Sequence, residues 1–311
     1  MSSFAFLSDL GFMKVGAPDA ATPYAVAGIA WDGATTNRPG ARFGPRAVRE
    51  ASHMLCDGMH PHFDVTPIGR LGDAGDLPLP NTSLQAMRQA LAPRAAELIA
   101  RHHMVWIGGD HSITLPLLRA YREWHRQPLA VIHFDAHCDT WSSHFDEPSG
   151  HGTWVREALQ EALVRPECFI QLGLRSAGSR EAREHVVQCG GQIFTARQLR
   201  GLESPEQLAP VLGAIRERMA RHGRPPVYLS LDMDCLDPAF APGTGTPEPG
   251  GLSTNQVLTV LEELADLPLV GMDCVEVAPA YDHAELTSAA AAAFVWTYLC
   301  GRIATAARQL P

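Results

Sequence analysis

The chain has 311 residues, 46% of them hydrophobic and 19% charged, with a formal charge of -9. A chain of this length buries a substantial core without a partner, and the composition excludes a disordered or fibrous protein. The acidic balance, with no compensating basic run, argues against a nucleic-acid partner and suits either a cationic ligand or plain solubility.

The seven cysteines, Cys56, Cys138, Cys168, Cys189, Cys235, Cys274 and Cys300, are scattered and contain no Cys-x-x-Cys pair. That pattern argues against a disulfide framework or a zinc knuckle and fits a reducing cytoplasm. Residues 2–15 carry Asp9 among apolar residues and lack a basic leader with a small-residue cleavage site, so no signal peptide is read there. The most apolar run, 289–296, falls far short of the roughly 20 residues of a membrane helix. It predicts a buried helix and no membrane partner.

In chain order, strand-sized apolar or β-branched runs stand at 24–30, 103–107, 129–134, 168–174, 227–231 and 267–277. Segments with helical spacing lie between them, at 45–55, 84–101, 114–125, 153–162, 205–222 and 254–265. No linker or repeat interrupts the alternation. It predicts a single-domain α/β fold over residues 1–311, a three-layer αβα arrangement with a mostly parallel sheet and helices on both faces. In such sheets ligands gather beyond the carboxyl ends of the strands, and that is where the unusual residues fall.

After 103–107 comes Gly108-Gly109-Asp110-His111-Ser112, whose glycines permit a tight turn that delivers an imidazole. After 129–134 come Asp135, His137 and Asp139, and after 227–231 come Asp232 and Asp234. Spacing by two puts such side chains on one side of an extended chain, with Cys138 and Cys235 pointing the other way. Each residue alone is ordinary as a loop or cap residue. Together, four carboxylates and two imidazoles with no Lys or Arg among them would cost several kcal/mol in repulsion and desolvation unless cations sat between them. Two divalent ions cancel four carboxylates, and the oxygen-rich ligand set favours Mn²⁺ over zinc, with zinc or cobalt as substitutes. His53, His60, His62, His102 and His103 have no matching carboxylates and are read as solvated or partly buried histidines.

These blocks, with Ser230 to Gly251 (SLDMDCLDPAFAPGTGTPEPGG), resemble the arginase and agmatinase family, the ureohydrolases, over nearly the whole length. The resemblance implies an arginase-like fold and two Mn²⁺ per chain, one held by His111, Asp135, Asp139 and Asp232, the other by Asp135, His137, Asp232 and Asp234. It further implies that Glu276, in Val275-Glu276-Val277-Ala278-Pro279, grips a guanidinium. His151, in Gly150-His151-Gly152-Thr153, would relay protons, and Asp139 would pass one to the departing amine. A homotrimer or homohexamer is the implied assembly.

Within the family, Asn37 to Pro45 and Gly271 to Ala290 look more like agmatinases than arginases, so agmatine, split to putrescine and urea, is the expected small guanidino substrate. Residues 140–150 match no single substrate, which keeps 4-guanidinobutyrate and 3-guanidinopropionate open. A single-zinc deacylase would need fewer acids, and a non-catalytic ureohydrolase-like subunit would not need Glu276.

Overall fold

A computed structural model of the chain describes residue 7 and residues 9–308. The rest of the stretch read for a signal peptide, residues 2–6 and 8, lies outside the described residues. Among the described residues there are eight strands: β1 (Tyr24–Gly28), β2 (Leu71–Asp76), β3 (His103–Ile107), β4 (Leu129–Phe134), β5 (Val164–Leu172), β6 (Gln192–Phe194), β7 (Val227–Asp232) and β8 (Leu269–Val275). They form one sheet in the order β2-β1-β3-β8-β7-β4-β5-β6, and every neighbouring pair is parallel.

The helices are α1 (Gly44–Ser52), α2 (Leu84–Ile99), α3 (Thr114–His125), α4 (Trp154–Gln160), α5 (Arg180–Gln188), α6 (Ala196–Leu199), α7 (Pro205–Arg221), α8 (Thr254–Glu263) and α9 (Leu286–Arg308). Strand alternation assigns them to two layers. Ala130, Ile132 and Phe134 of β4 join the core built with α1, α7, α8 and α9, whereas Leu129 and Val131 join the one built with α2, α3 and α4. The three-layer αβα arrangement expected from the alternation is therefore present. Helix starts follow local chemistry: α7 and α8 each begin with a Ser-x-x-Gln capping box, at Ser204/Gln207 and Ser253/Gln256.

Five elements differ from expectation. Strand β2, sequence LGDAGD, is not among the strand-sized runs of the sequence, because two glycines and two aspartates disfavour a strand. It is ordered by a buried cation instead: Arg49 of α1 donates to Asp73 through Nε at 2.7 Å and also bonds Asp76. Strand β6 is only three residues long, α6 only four, and α5 has few apolar residues, buried Ala182 and Val186 beside exposed Val187, so none shows a readable period. The apolar run 289–296 belongs to a helix of 23 residues, long enough to cross a membrane by length and composition. Its most apolar window is 67% buried, packed in the core beside α1 and α8, so burial rather than length identifies it as a core helix.

The Arg49 side chain is fully buried and those of Asp73 and Asp76 nearly so. Removing one partner of a buried ionic group leaves charge uncompensated and costs about 3–5 kcal/mol. Arg49→Met is expected to lower unfolding free energy in a urea titration by about that amount, and a loss under about 1 kcal/mol would contradict the role given to this cluster.

Candidate metal centre

Four adjacent strands, β3, β8, β7 and β4, carry the candidate residues, and because all are parallel their carboxyl ends share one edge of the sheet. His111 starts a short 3-10 turn beyond β3, and Asp135, His137 and Asp139 follow β4. Asp232 ends β7, Asp234 lies in the turn Met233–Cys235, and Glu276 follows β8.

The residues spaced by two do converge, but not on extended chain. The segment after β4 is irregular, and Asp139 takes a left-handed backbone with φ of 54°. Each block instead folds as an aspartate turn: Asp135 Oδ1 accepts the His137 N–H at 2.6 Å, and Asp232 Oδ1 accepts the Asp234 N–H at 2.8 Å. Cys138 packs with Leu174 and Ala182, and Cys235 enters the core, both away from the site. The glycines before His111 are also needed for another reason than a turn. A Cβ on Gly109 would sit 1.6 Å from the Trp31 carbonyl oxygen, so closeness of two backbones, not a positive φ, requires glycine there.

His111 Nδ1 lies 3.0 Å from Asp232 Oδ2, 3.2 Å from Asp135 Oδ2 and 3.3 Å from Asp139 Oδ2. His137 Nδ1 lies 3.0 Å from Asp234 Oδ2 and 3.3 Å from Asp135 Oδ1. Asp135 therefore turns one oxygen to each group, while Asp232 offers only Oδ2, to the first. The two groups border a cavity of about 200 Å³, closed further by Thr36, Trp141, His144 and His151.

Burial opposes charge on His111 and His137, yet the surrounding carboxylates outweigh it and hold both imidazoles protonated well above the usual range. Asp139 and Asp232 are pushed well up by burial and by repulsion from Asp135 and Asp234, respectively. Groups that can coexist only by taking up protons release them to divalent cations. With hard oxygens and two imidazoles converging in two groups, the residues fit a two-metal centre.

Outer contacts set the donor atoms. His111 Nε2 lies 2.8 Å from Ser230 Oγ, which donates to Asp273 Oδ1 at 2.7 Å. The Nε2–H is thus engaged and the Nδ1 lone pair faces the three carboxylates. Asp273 is itself held by Tyr228 and Thr114 hydroxyls, each at 2.8 Å. His133 also comes within the first group, 2.8 Å from Asp135 Oδ2. Its Nδ1 accepts from Gln171 Nε2 at 3.1 Å, so its Nε2–H donates to Asp135 and no lone pair points inward.

Ser230, Asp273, His133 and Gln171 were not singled out in the sequence. Their signal was a polar residue inside an otherwise apolar strand. The histidines set aside do stay away from the donors, but His60 and His102 are more buried than expected. His60 packs on Trp296, and His102 Nδ1 lies 2.7 Å from the Thr22 carbonyl oxygen.

Glu276 is buried with a left-handed backbone, φ of 65°. Its Oε1 accepts the His111 N–H at 3.0 Å and lies 2.9 Å from His151 Nδ1, whereas its Oε2 has no partner. His151 is disfavoured as a cation by burial, but the Glu276 hydrogen bond and charge prevail and raise it to about 9. Thr36 serves either form of the ring: its N–H, 3.2 Å from Nε2, suits the neutral imidazole, and its hydroxyl, at 2.8 Å, can accept from the protonated one.

The sequence model of the arginase family matches residues 22–301. The chain is 38% identical to an agmatinase of Chromobacterium violaceum, over 89% of this chain and 82% of that one. It is 39% identical to an agmatinase of Cronobacter sakazakii, over 94% and 90%. Proclavaminate amidino hydrolase from Streptomyces clavuligerus superimposes with a TM-score of 0.87 at 34% identity, covering 97% of this chain and all of that one. With its sheet order, its acid and imidazole cluster and these likenesses together, the chain belongs to the arginase family.

Proposed function

We propose that this chain is a hydrolase releasing urea from a small guanidino compound, agmatine first, with putrescine as the other product. The observation that carries the reading is Glu276: a buried carboxylate with one unpartnered oxygen, hydrogen-bonded through the other to residues of the metal pocket. An orphaned buried acid of this kind suits a planar cation that donates to it. The agmatinase names of the two relatives, at 38% and 39% identity, support agmatine.

In this reading His111, Asp135, Asp139 and Asp232 hold one ion, and Asp135, His137, Asp232 and Asp234 the other. Asp135 and Asp232 would belong to both sets. Manganese is the ion that the oxygen-rich set favours. When bound, the ions would supply a water that ionises near neutral pH, far below its range in bulk solvent.

The chain supplies the rest. Glu276 orients the guanidinium through charge-assisted bonds, Asp139 takes up a proton and delivers it to the departing amine, and His151 exchanges protons between the Glu276 side and Thr36. The chain would work as one domain, in the homotrimer or homohexamer implied by the resemblance. Its seven free cysteines, five of them buried, support a reducing cytoplasm.

A second reading keeps the chemistry and changes the substrate to a guanidino acid. A neighbouring cavity of about 630 Å³ shares Trp141 and Ser176 with the metal pocket and is edged by Arg183 and Arg197, which suit a carboxylate tail. Urea release by manganese-loaded protein from agmatine, 4-guanidinobutyrate, 3-guanidinopropionate and arginine separates the two. Agmatine preference, abolished by a chelator, supports the first reading; preference for an acid supports the second; and no urea from any of them contradicts both.

One variant tests both roles. Glu276→Gln removes a charge-assisted contact of about 1.5–3 kcal/mol, so kcat/KM is expected to fall roughly 10- to 100-fold with KM raised, and unchanged kinetics would remove the assignment. NMR titration of the metal-free chain is expected to show His151 near 9, and clearly lower in Glu276→Gln. A folded value raised above the unfolded one means that this pair stabilises the fold fully below about pH 6.5 and ceases to do so as pH climbs through about 9. A His151 titration unaffected by Glu276→Gln would contradict the pairing.

A further inference from the structure

Asp139 is the first-group carboxylate that neither ends a strand nor belongs to an aspartate turn, and its left-handed backbone gives it no regular neighbour to lean on. What holds it is the start of α4. The Asp139 carbonyl accepts the N–H groups of Val155 at 3.0 Å and Arg156 at 3.4 Å, taking up two of the free donors at the helix N-terminus. From the residue before them, Trp154, the indole Nε1–H returns to donate to Asp139 Oδ2 at 2.7 Å. This Oδ2 is the same oxygen that faces His111 Nδ1.

Trp154 is fully buried, and its ring packs against two imidazoles that also contact each other, 5.0 Å from that of His111 and 4.9 Å from that of His133. An indole offers one donor and no acceptor, so it cannot compete for a cation; it can only fix the oxygen it touches.

We infer that Trp154 is a positioning residue for the metal centre, whose indole N–H sets the Asp139 carboxylate on the first ion's ligand point. This inference rests on the two-metal reading above. A residue that merely filled space would need the shape of the bicyclic ring but not its N–H. Hydrogen bonds to ligating carboxylates typically change metal affinity by about 10- to 100-fold when lost.

The test is therefore a manganese titration by calorimetry, with chelator competition, on the wild-type chain and on two variants. Trp154→Phe keeps an aromatic ring and loses the donor. Replacement of Trp154 by β-(3-benzothienyl)alanine keeps the bicyclic shape with sulfur in place of N–H, and it decides the matter if Trp154→Phe folds poorly. The expected result is a loss of about tenfold or more in affinity for one of the two ions in the benzothienyl variant, with thermal unfolding of the metal-free chain nearly unchanged. Wild-type affinity for both ions in that variant would overturn the role of Trp154 while leaving the metal centre standing. A wild-type chain that binds no manganese would instead remove the two-metal reading itself.

Discussion

Like charges crowded into a buried space cannot all stay ionised, and this constraint governs the rest of the molecule. Asp135, Asp139, Asp232 and Asp234 lie together with almost no access to water, and among the described residues no Lys or Arg pairs with their carboxylates. Left to themselves they keep protons on His111 and His137 and drive Asp139 and Asp232 upward. A fold that maintains such a cluster does so because cations complete it. The Arg49 cluster solves the same problem differently, burying its own counter-charge, and it sits under a strand instead of at a cavity.

The sheet makes the crowding possible. In the order β3-β8-β7-β4, four parallel strands end side by side, so residues distant in sequence arrive within about one side-chain length of each other. The cost appears as local backbone strain. Asp139 and Glu276 both take left-handed conformations, which non-glycine residues adopt only when their surroundings over-determine them. For Asp139 the surroundings are α4 and its indole; for Glu276 they include the bond from its N–H to the Gly109 carbonyl at 2.8 Å.

Much of this was legible in the sequence, for physical reasons that can be named. The acid and imidazole blocks are contiguous, follow apolar strands directly and concentrate one sign of charge, so their convergence at one edge of the sheet could be read without three-dimensional information. The long apolar strands and periodic helices were likewise readable, although their ends shifted by a few residues. What the sequence hid depends on distant partners. Strand β2 exists because Arg49 neutralises Asp73 and Asp76, and nothing within LGDAGD announces that arginine. Asp273 and Ser230 look like stray polar residues in strands until His111 is seen to lean on them. Trp154 reads as one more core aromatic, since only the fold shows where its N–H points.

Whether these carboxylates hold two ions is tested most directly by a crystal structure of the manganese-loaded chain with anomalous scattering recorded at the metal edge. Two peaks about 3.5–4 Å apart are expected, one beside His111 Nδ1 and Asp139, the other beside His137 Nδ1 and Asp234, with Asp135 between them. A single peak, or an ion ligated by His133 in place of His111, would contradict the two-ion centre.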